Sequence, residues 1–300
     1  MSNTAKWVIG IVVFVLAMGG LFLITIVSLV FSEPDDESTI SAGERVAVVE
    51  LNEPILDSQE IVRQFKKYRE NKSVKAIVFR VDSPGGGVSA SQEIYEEVKK
   101  TRVFGKPVVV SMGAVAASGG YYVSCGATKI VANPGTLTGS IGVIFQFLHF
   151  SELMNKIGVD QSTFKTGKYK DIGSPFRKTT EDEKRFFDQL LGDVYDQFVT
   201  VVATERKLDR KVVVGYADGR VFTGRQARAY GLVDTLGTYE DAVSIAAKLG
   251  DIHGKPKVVK ERKIKSFFER MMGETVSELA SLKHELLNQP VLQYKFTSPY

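Results

Sequence analysis

VKAIVFRVDSPGGGVSASQEIYEEVKK, residues 74–100, carries the pattern that decides the fold. A run of β-branched and aromatic residues of the fully buried type ends at Val81. DSPGGG, Asp82 to Gly87, interrupts it with a glycine turn, and an amphipathic helix follows. Strand, glycine turn and helix form the unit from which α/β domains with much parallel sheet are built. The alternation continues on both sides. RVAVVELNEPI (45–55) predicts a strand and SQEIVRQFKKYREN (58–71) a helix. KPVVVSMGAVAA (106–117) predicts another strand, and SGGYYVSCGA (118–127) a short helix. KIVANPGTLTGSIGVIF (129–145) gives strand and loop, and QSTFKTGKYKDIG (161–173) reads as a further strand-like piece. Thr180, followed by acidic residues, starts one long helix to about Lys207. Residues 209–250 read as more helices around a short VFTG connection. No period of 20–50 residues suggests a solenoid.

The chain has 300 residues, 44% of them hydrophobic, enough for one large domain or two modest ones. Residues 1–6 form a short cytoplasmic N-terminus in this reading. WVIGIVVFVLAMGGLFLITIVSLVF (7–31) runs without a charge. At 1.5 Å per residue it covers a hydrocarbon core of about 30 Å, and it exceeds the ~7–15 residues of a signal-peptide apolar region. It is expected to be an uncleaved transmembrane helix. Lys6 precedes it and Asp35, Asp36 and Glu37 follow, which favours an inside N-terminus and an outside body. SEPDDESTISAGE (32–44) is a polar linker, residues 45–250 are the folded body, and residues 251–300 read as a basic and amphipathic helical extension. There, KPKVVKERKIK (255–265) is expected to be a solvated helix entry, and Ile264, Phe267, Phe268, Met271, Met272, Val276 and Leu279 form a stripe at near-helical spacing. Net charge is +4, and no basic-plus-aromatic module points to nucleic acid. The single cysteine, Cys125, excludes an intrachain disulfide and a cysteine-only metal site. No metal and no cofactor is expected.

GAVAASGGYYVSCG (113–126) sets one serine, Ser118, among alanines and glycines. At a strand-to-helix junction a hydroxyl meets unpaired N–H groups and the positive end of a helix dipole, which stabilise an oxyanion. The glycines leave room for a substrate backbone. An N-cap serine is the plainer reading. The glycine run at 85–87 is either a tight turn or an anion-binding cradle, and it lacks the spacing of a nucleotide loop. His149 lies in an apolar FLHF run and reads as a packed residue, and His253 and His284 lie in polar C-terminal sequence, so no Ser-His-Asp triad is legible. A lysine serves as base if its pKa falls from about 10.4 toward 7, which disfavours the charge by roughly 4.6 kcal/mol. Lys165, Lys168 and Lys170 are candidates, and spacing does not choose among them.

GAVAASGGYY, DSPGGGV, TGSIGV, GKYKDIGSPFR and GRVFTGRQARAYGLVDTLG, in that order, resemble the bacterial signal peptide peptidase (SppA) family over roughly residues 45–250. The resemblance implies a Clp protease/crotonase-like α/β fold and a Ser-Lys dyad. It makes Ser118 the nucleophile, Lys170 the general base and Ser140 the group that orients the lysine. Backbone N–H groups of Gly85 or Gly86, and of Gly119, become the oxyanion donors. It further implies a single-pass protein of the cytoplasmic membrane with an extracytoplasmic catalytic body. Signal peptides left in the lipid bilayer are the implied substrates, and a homo-oligomeric ring, an octamer at this length, the implied assembly. Competing readings are a protease of the same fold acting on intact membrane proteins, a crotonase-like acyl-CoA binder, and a non-catalytic membrane scaffold.

Overall fold

The structure, a computed structural model, describes residues 44–261 and 293–295, with Trp7, Phe14 and residues 18–20. Apart from those five positions the expected anchor at 7–31 lies outside the described residues, as do nearly all of the linker and the whole stripe from Ile264 to Leu279. Among the described residues no helix is long and apolar enough to cross a membrane.

The elements run β1 Arg45–Leu51, α1 Gln59–Glu70, β2 Val74–Ser83, β3 Gly85–Gly87, α2 Val88–Val103, β4 Val108–Ala117, α3 Gly119–Ser124, β5 Lys129–Ala132, β6 Leu137–Gly139 and α4 Ser151–Lys156. They continue with α5 Glu181–Arg206, α6 Arg210–Val214, β7 Val221–Thr223, α7 Gly224–Ala229, β8 Thr235–Leu236, α8 Tyr239–Leu249, β9 Lys257–Lys260 and β10 Gln293–Lys295. The main sheet has the order β7-β6-β4-β2-β1-β9, with β5 bridging β4 and β8. Its pairs are parallel except β6 with β7. Both faces of the central strands are covered, which is why those strands read as unbroken apolar runs. Val46, Val48, Ala76, Val78 and Val109 point to one face, under Ala242, Val243, Ala246 and Ala247 of α8. Ala47, Val49, Ile77, Phe79 and Val110 point to the other, where α1, α2 and α5 supply Phe65, Ile94 and Phe198.

Four expectations change. The glycine run is not a free turn but a strand, because both of its edges find partners. Ile55 donates to the Gly85 carbonyl at 2.8 Å and accepts from the Gly87 N–H at 2.8 Å, and β10 pairs along the other side. Residues 161–173 form no strand; their polar groups turn back on the loop itself, with Lys165 on Asp171 and the Lys170 N–H on the Gly167 carbonyl. The basic run holds β9, parallel to β1, with Lys260 against Glu50 at 2.5 Å. The expected VFTG connection likewise contains β7.

One irregularity aims the site. Val81 pairs with Met112, but Ser83 pairs with Ala116, so β4 bulges between these contacts. Asp82 fills the bulge and accepts the Val115 N–H at 3.0 Å, while Thr136 and Thr138 hydroxyls donate to the Gly113 and Ala116 carbonyls. A Cβ on Gly113 would stand 2.4 Å from the Asp82 Cγ. Gly113→Ala is therefore expected to lower unfolding free energy by about 1–3 kcal/mol, as overpacked sites do, and to cut activity by misplacing the end of β4. Denaturant unfolding and a peptide assay on the same preparation check both.

Candidate active site

β4 ends at Ala117, and Ser118 follows with φ 53° and ψ −116°, a backbone conformation that a side chain rarely adopts. Two hydrogen bonds hold it there: the Ser118 N–H donates to the Gly139 carbonyl at 2.8 Å, and its carbonyl accepts from the Tyr122 N–H at 2.8 Å. The residue is buried, and among the described residues its Oγ has no hydrogen-bond partner. An N-cap serine would place that oxygen on a helix N–H; here no such side-chain bond exists. The hydroxyl is spare, which suits a nucleophile.

Ser140 is brought beside it. Ala117 pairs with Gly139 at the ends of β4 and β6, so Ser118 and Ser140 leave adjacent strands together. Ser140 also has a left-handed backbone, φ 51°, fixed by its N–H on the Arg220 carbonyl at 2.9 Å. It is buried, and its hydroxyl too has no partner among the described residues.

The small residues after Ser118 serve a purpose other than the expected room for substrate. A Cβ on Gly119 would lie 2.7 Å from Ser91 Oγ and 3.1 Å from the Gly85 Cα, and one on Gly120 would lie 2.6 Å from the Ser83 carbonyl oxygen. They let the chain's own glycine strand touch the nucleophile's helix. Gly85 gives its N–H to Ser83 Oγ at 3.2 Å. Gly86 turns the other way. Gly85 and Gly87 spend their facing groups on Ile55, and Gln293 exchanges both of its backbone bonds with Ile144 at 3.1 and 3.3 Å. By the alternation of an antiparallel pair, Gly86 and its partner Tyr294 face each other with N–H and C=O. A Cβ on Gly85 would sit 2.0 Å from the Tyr294 carbonyl oxygen and 2.6 Å from the Gly119 nitrogen, so β10 and the start of α3 both close on the Gly85 Cα.

The lysines lie on an outlying arm, residues 145–179, most of it exposed. Lys165 is paired with Asp171, and Lys168 with Asp182, whose carboxylate raises the Lys168 pKa. Lys170 is exposed, and its amine has no hydrogen-bond or ion-pair partner among the described residues. Of the three candidates it alone is uncommitted, and no hydrogen bond joins it to Ser118 or Ser140. His149 is exposed rather than packed, with Nε2 3.3 Å from Thr179 Oγ1. His253 is exposed, and His284 lies outside the described residues. No group of acidic, histidine or cysteine side chains suits a metal ion among the described residues.

The arm is tied to the start of α5 by Arg177, whose guanidinium bridges Asp171 and Glu183. Aromatic contacts add to this: Tyr169 stacks on Phe186 at 5.4 Å, and Phe145 and Phe147 lie on Phe187 at 5.2 and 4.9 Å. Glu183 also closes the capping box of α5 with Thr180.

Sequence comparison bears on this geometry. The peptidase family S49 model matches residues 100–253, which contain Ser118, Ser140 and Lys170, and the Clp protease model matches residues 39–136. The chain belongs to peptidase family S49. As a member of S49 it is a serine peptidase with a Clp protease-like α/β fold. An Enterococcus faecium protein bearing the name signal peptide peptidase SppA is 39% identical over 75% of this chain and 65% of its own. A Synechocystis protein named as a protease is 43% identical over 71% of this chain and 76% of its own. Protease 4 of Salmonella typhi is 40% identical over 70% of this chain but only 35% of its own, so the chain spans about a third of that S49 protein.

The sequence did not point to β10, to the place its Tyr294 takes in the core or to Ser83. The only hint of β10 was that QPVLQYKFTSPY, 289–300, keeps apolar residues at the very end of a polar region.

Arg177, then the Thr180 N–H, hold the Glu183 carboxyl down to about 2, against burial. A carboxyl depressed on folding stabilises fully above its unfolded value and loses that contribution as pH falls through its folded one. Glu183→Gln is therefore expected to lower Tm at pH 7. The gap to wild type should close as pH falls from 5 toward 2. Circular dichroism melts across that range measure it.

Proposed function

We propose that this chain is a membrane-anchored endopeptidase that cuts extended peptides with a Ser118–Lys170 dyad. The observation that carries the reading is β10. A segment of chain already lies as an antiparallel strand on Gly85–Gly87, with Tyr294 opposite Gly86, and the Gly119 nitrogen, next in the chain after Ser118, lies close to Gly85 on the same edge. A substrate held this way presents its scissile carbonyl to the nucleophile with the oxyanion donors in place.

In this reading neutral Lys170 takes the Ser118 proton, and Oγ attacks the carbonyl carbon. The oxyanion receives the N–H groups of Gly86 and Gly119. Lys170 returns the proton to the leaving amine, and a water activated by the same amine hydrolyses the acyl-enzyme. Ser140 accepts a hydrogen bond from Lys170 and fixes its direction. Gly85 supplies a bare Cα that lets the strand approach.

Lys170 has to be brought to Ser118 and covered, since burial favours its neutral form. The arm leaves Leu148, Leu153, Ile157 and Phe164 exposed at 73%, 55%, 62% and 96%. An exposed apolar surface of this kind marks an association site. Assembly of several copies, in a ring as the family resemblance implies, would cover it and the lysine with it.

Remnant signal peptides in the bilayer are the substrates this reading favours. The uncharged stretch 7–31 anchors the chain beside them, with Trp7, Phe14 and Met18 helical and exposed, and the body lies on the extracytoplasmic side. Tethering enzyme and substrate in one membrane raises their effective concentration. The name of the enterococcal relative agrees.

The test is hydrolysis of a synthetic signal peptide by the full chain in detergent, across pH 6 to 10. Ser118→Ala and Lys170→Ala are each expected to reduce kcat by at least about a thousandfold, with a wild-type rate that rises with an apparent pKa below about 10.4. Activity retained by Lys170→Ala would place the base elsewhere. An inactive wild type would favour a scaffold, and equal cutting of folded membrane proteins would favour the broader protease.

A further inference from the structure

The residues on either side of Lys170 are fastened to α5, and the Lys170 side chain is not. Lys168 pairs with Asp182, and its amine lies 5.3 Å from the Tyr169 ring centroid. Tyr169 stacks on Phe186. Asp171 is held through Arg177. That guanidinium gives Nε to one carboxylate oxygen of Asp171 at 2.8 Å and Nη2 to the other at 2.9 Å. Nη2 also donates to the Asp171 carbonyl at 3.0 Å, while Nη1 donates to Glu183 Oε2 at 2.8 Å. Lys165 brings a second cation to Asp171. Both acids are largely covered, with the Asp171 side chain 13% exposed and that of Glu183 3%. The same turn sets the backbone of Lys170. Its N–H donates to the Gly167 carbonyl at 3.2 Å, and the Ser174 N–H closes on the Asp171 carbonyl at 3.0 Å.

Asp171 follows the proposed base directly in the chain. A carboxylate within about 4–6 Å of an ammonium favours its charged form, and an amine that keeps its proton does not activate a serine. Arg177 removes this difficulty. A guanidinium grips a carboxylate with two parallel bonds and stays charged throughout the working range of pH. Arg177 and Lys165 accordingly hold the Asp171 carboxyl well below the usual carboxylate range. The other acids at this junction of arm and helix are taken as well. Asp182 has Lys168 and Arg185, Glu181 has Lys184 at 2.6 Å, and Glu152 has Lys178 at 3.1 Å.

We propose that Arg177 is a positioning residue for the general base: it fixes the turn that carries Lys170 against α5 and holds the Asp171 carboxylate away from the Lys170 amine. The amine then reaches Ser118 unpaired and able to give up its proton. The inference rests on the Ser-Lys reading above and adds the residue that governs its base. An ion pair that only clipped the arm to the helix would contribute stability and leave the chemistry of Lys170 unchanged. Removal of Asp171 separates the two roles, because it relieves a freed carboxylate but does not repair a lost clip.

The experiment uses the full chain in detergent, as wild type, Arg177→Gln, Asp171→Asn and the double variant. The first readout is kcat against pH on the synthetic signal peptide. Arg177→Gln is expected to move the alkaline rise up by about one pH unit, and so to lower kcat at pH 7 about tenfold with KM within about twofold. Adding Asp171→Asn to it is expected to bring the rise most of the way back. Arg177→Lys, which keeps the charge without the fork, should fall between wild type and Arg177→Gln. The second readout is acetylation of Lys170 by acetic anhydride against pH, followed by mass spectrometry in the Ser118→Ala background, which reads the amine without hydrolysis. It should rank the variants in the same order. A double variant shifted as far as Arg177→Gln makes Arg177 a clip of the fold and overturns the proposal. Arg177→Gln labelling that coincides with that of the parent chain overturns it too, whether or not wild type hydrolyses the peptide. If Arg177→Gln fails to fold, an unshifted Arg177→Lys does the same. The expected labelling order with an inert wild type overturns the peptidase reading and leaves the hold of Arg177 on Lys170 standing.

Discussion

Gly85 and Gly119 touch through their backbones, and the rest of the site depends on that contact. No side chain fits between them, since a Cβ on either would fall inside the other's van der Waals shell. This approach places β3 beside the residue that follows the nucleophile, so amide groups from two distant segments reach one point. Side chains at that point would be flexible and would have to be ordered on each turnover; backbone amides fixed by a sheet and a helix are ordered already. The Asp82 bulge in β4 and the Gly139 and Tyr122 bonds at Ser118 hold the other half of the contact.

The proposed general base is held differently. Ser118, the proposed nucleophile, Ser140, Gly85, Gly86 and Gly119 are buried. Lys170 stands on an exposed arm fastened by charge, with Arg177 between Asp171 and Glu183, and by a small aromatic cluster on α5. Two neighbouring lysines are consumed by carboxylates, and Lys170 has no such partner among the described residues.

β10 joins site and core. Tyr294 belongs to the larger hydrophobic cluster as well as to the glycine edge, so one residue connects α3, α5 and β3. Burial of about 25 cal/mol per Å² of apolar surface is a sizeable term for a tyrosine ring. It explains how a three-residue strand far from the body in sequence holds its place.

By itself the sequence determined the α/β class, the long capped helix at Thr180, and the position of the spare serine between a strand and a short helix. Those features are local: side-chain period, capping chemistry and glycine placement are written in neighbouring residues. The choice of Lys170 over Lys165 and Lys168 came only from the family resemblance, since spacing left it open. Tertiary structure alone decided that the glycine run is a strand, because pairing on both edges needs Ile55 and β10. It decided that residues 161–173 are not a strand and that the basic run at 255–265 includes one, because a strand is defined by its partner and not by its own residues. It also decided that Tyr294 pairs with Gly86, since that follows from a contact between segments about two hundred residues apart.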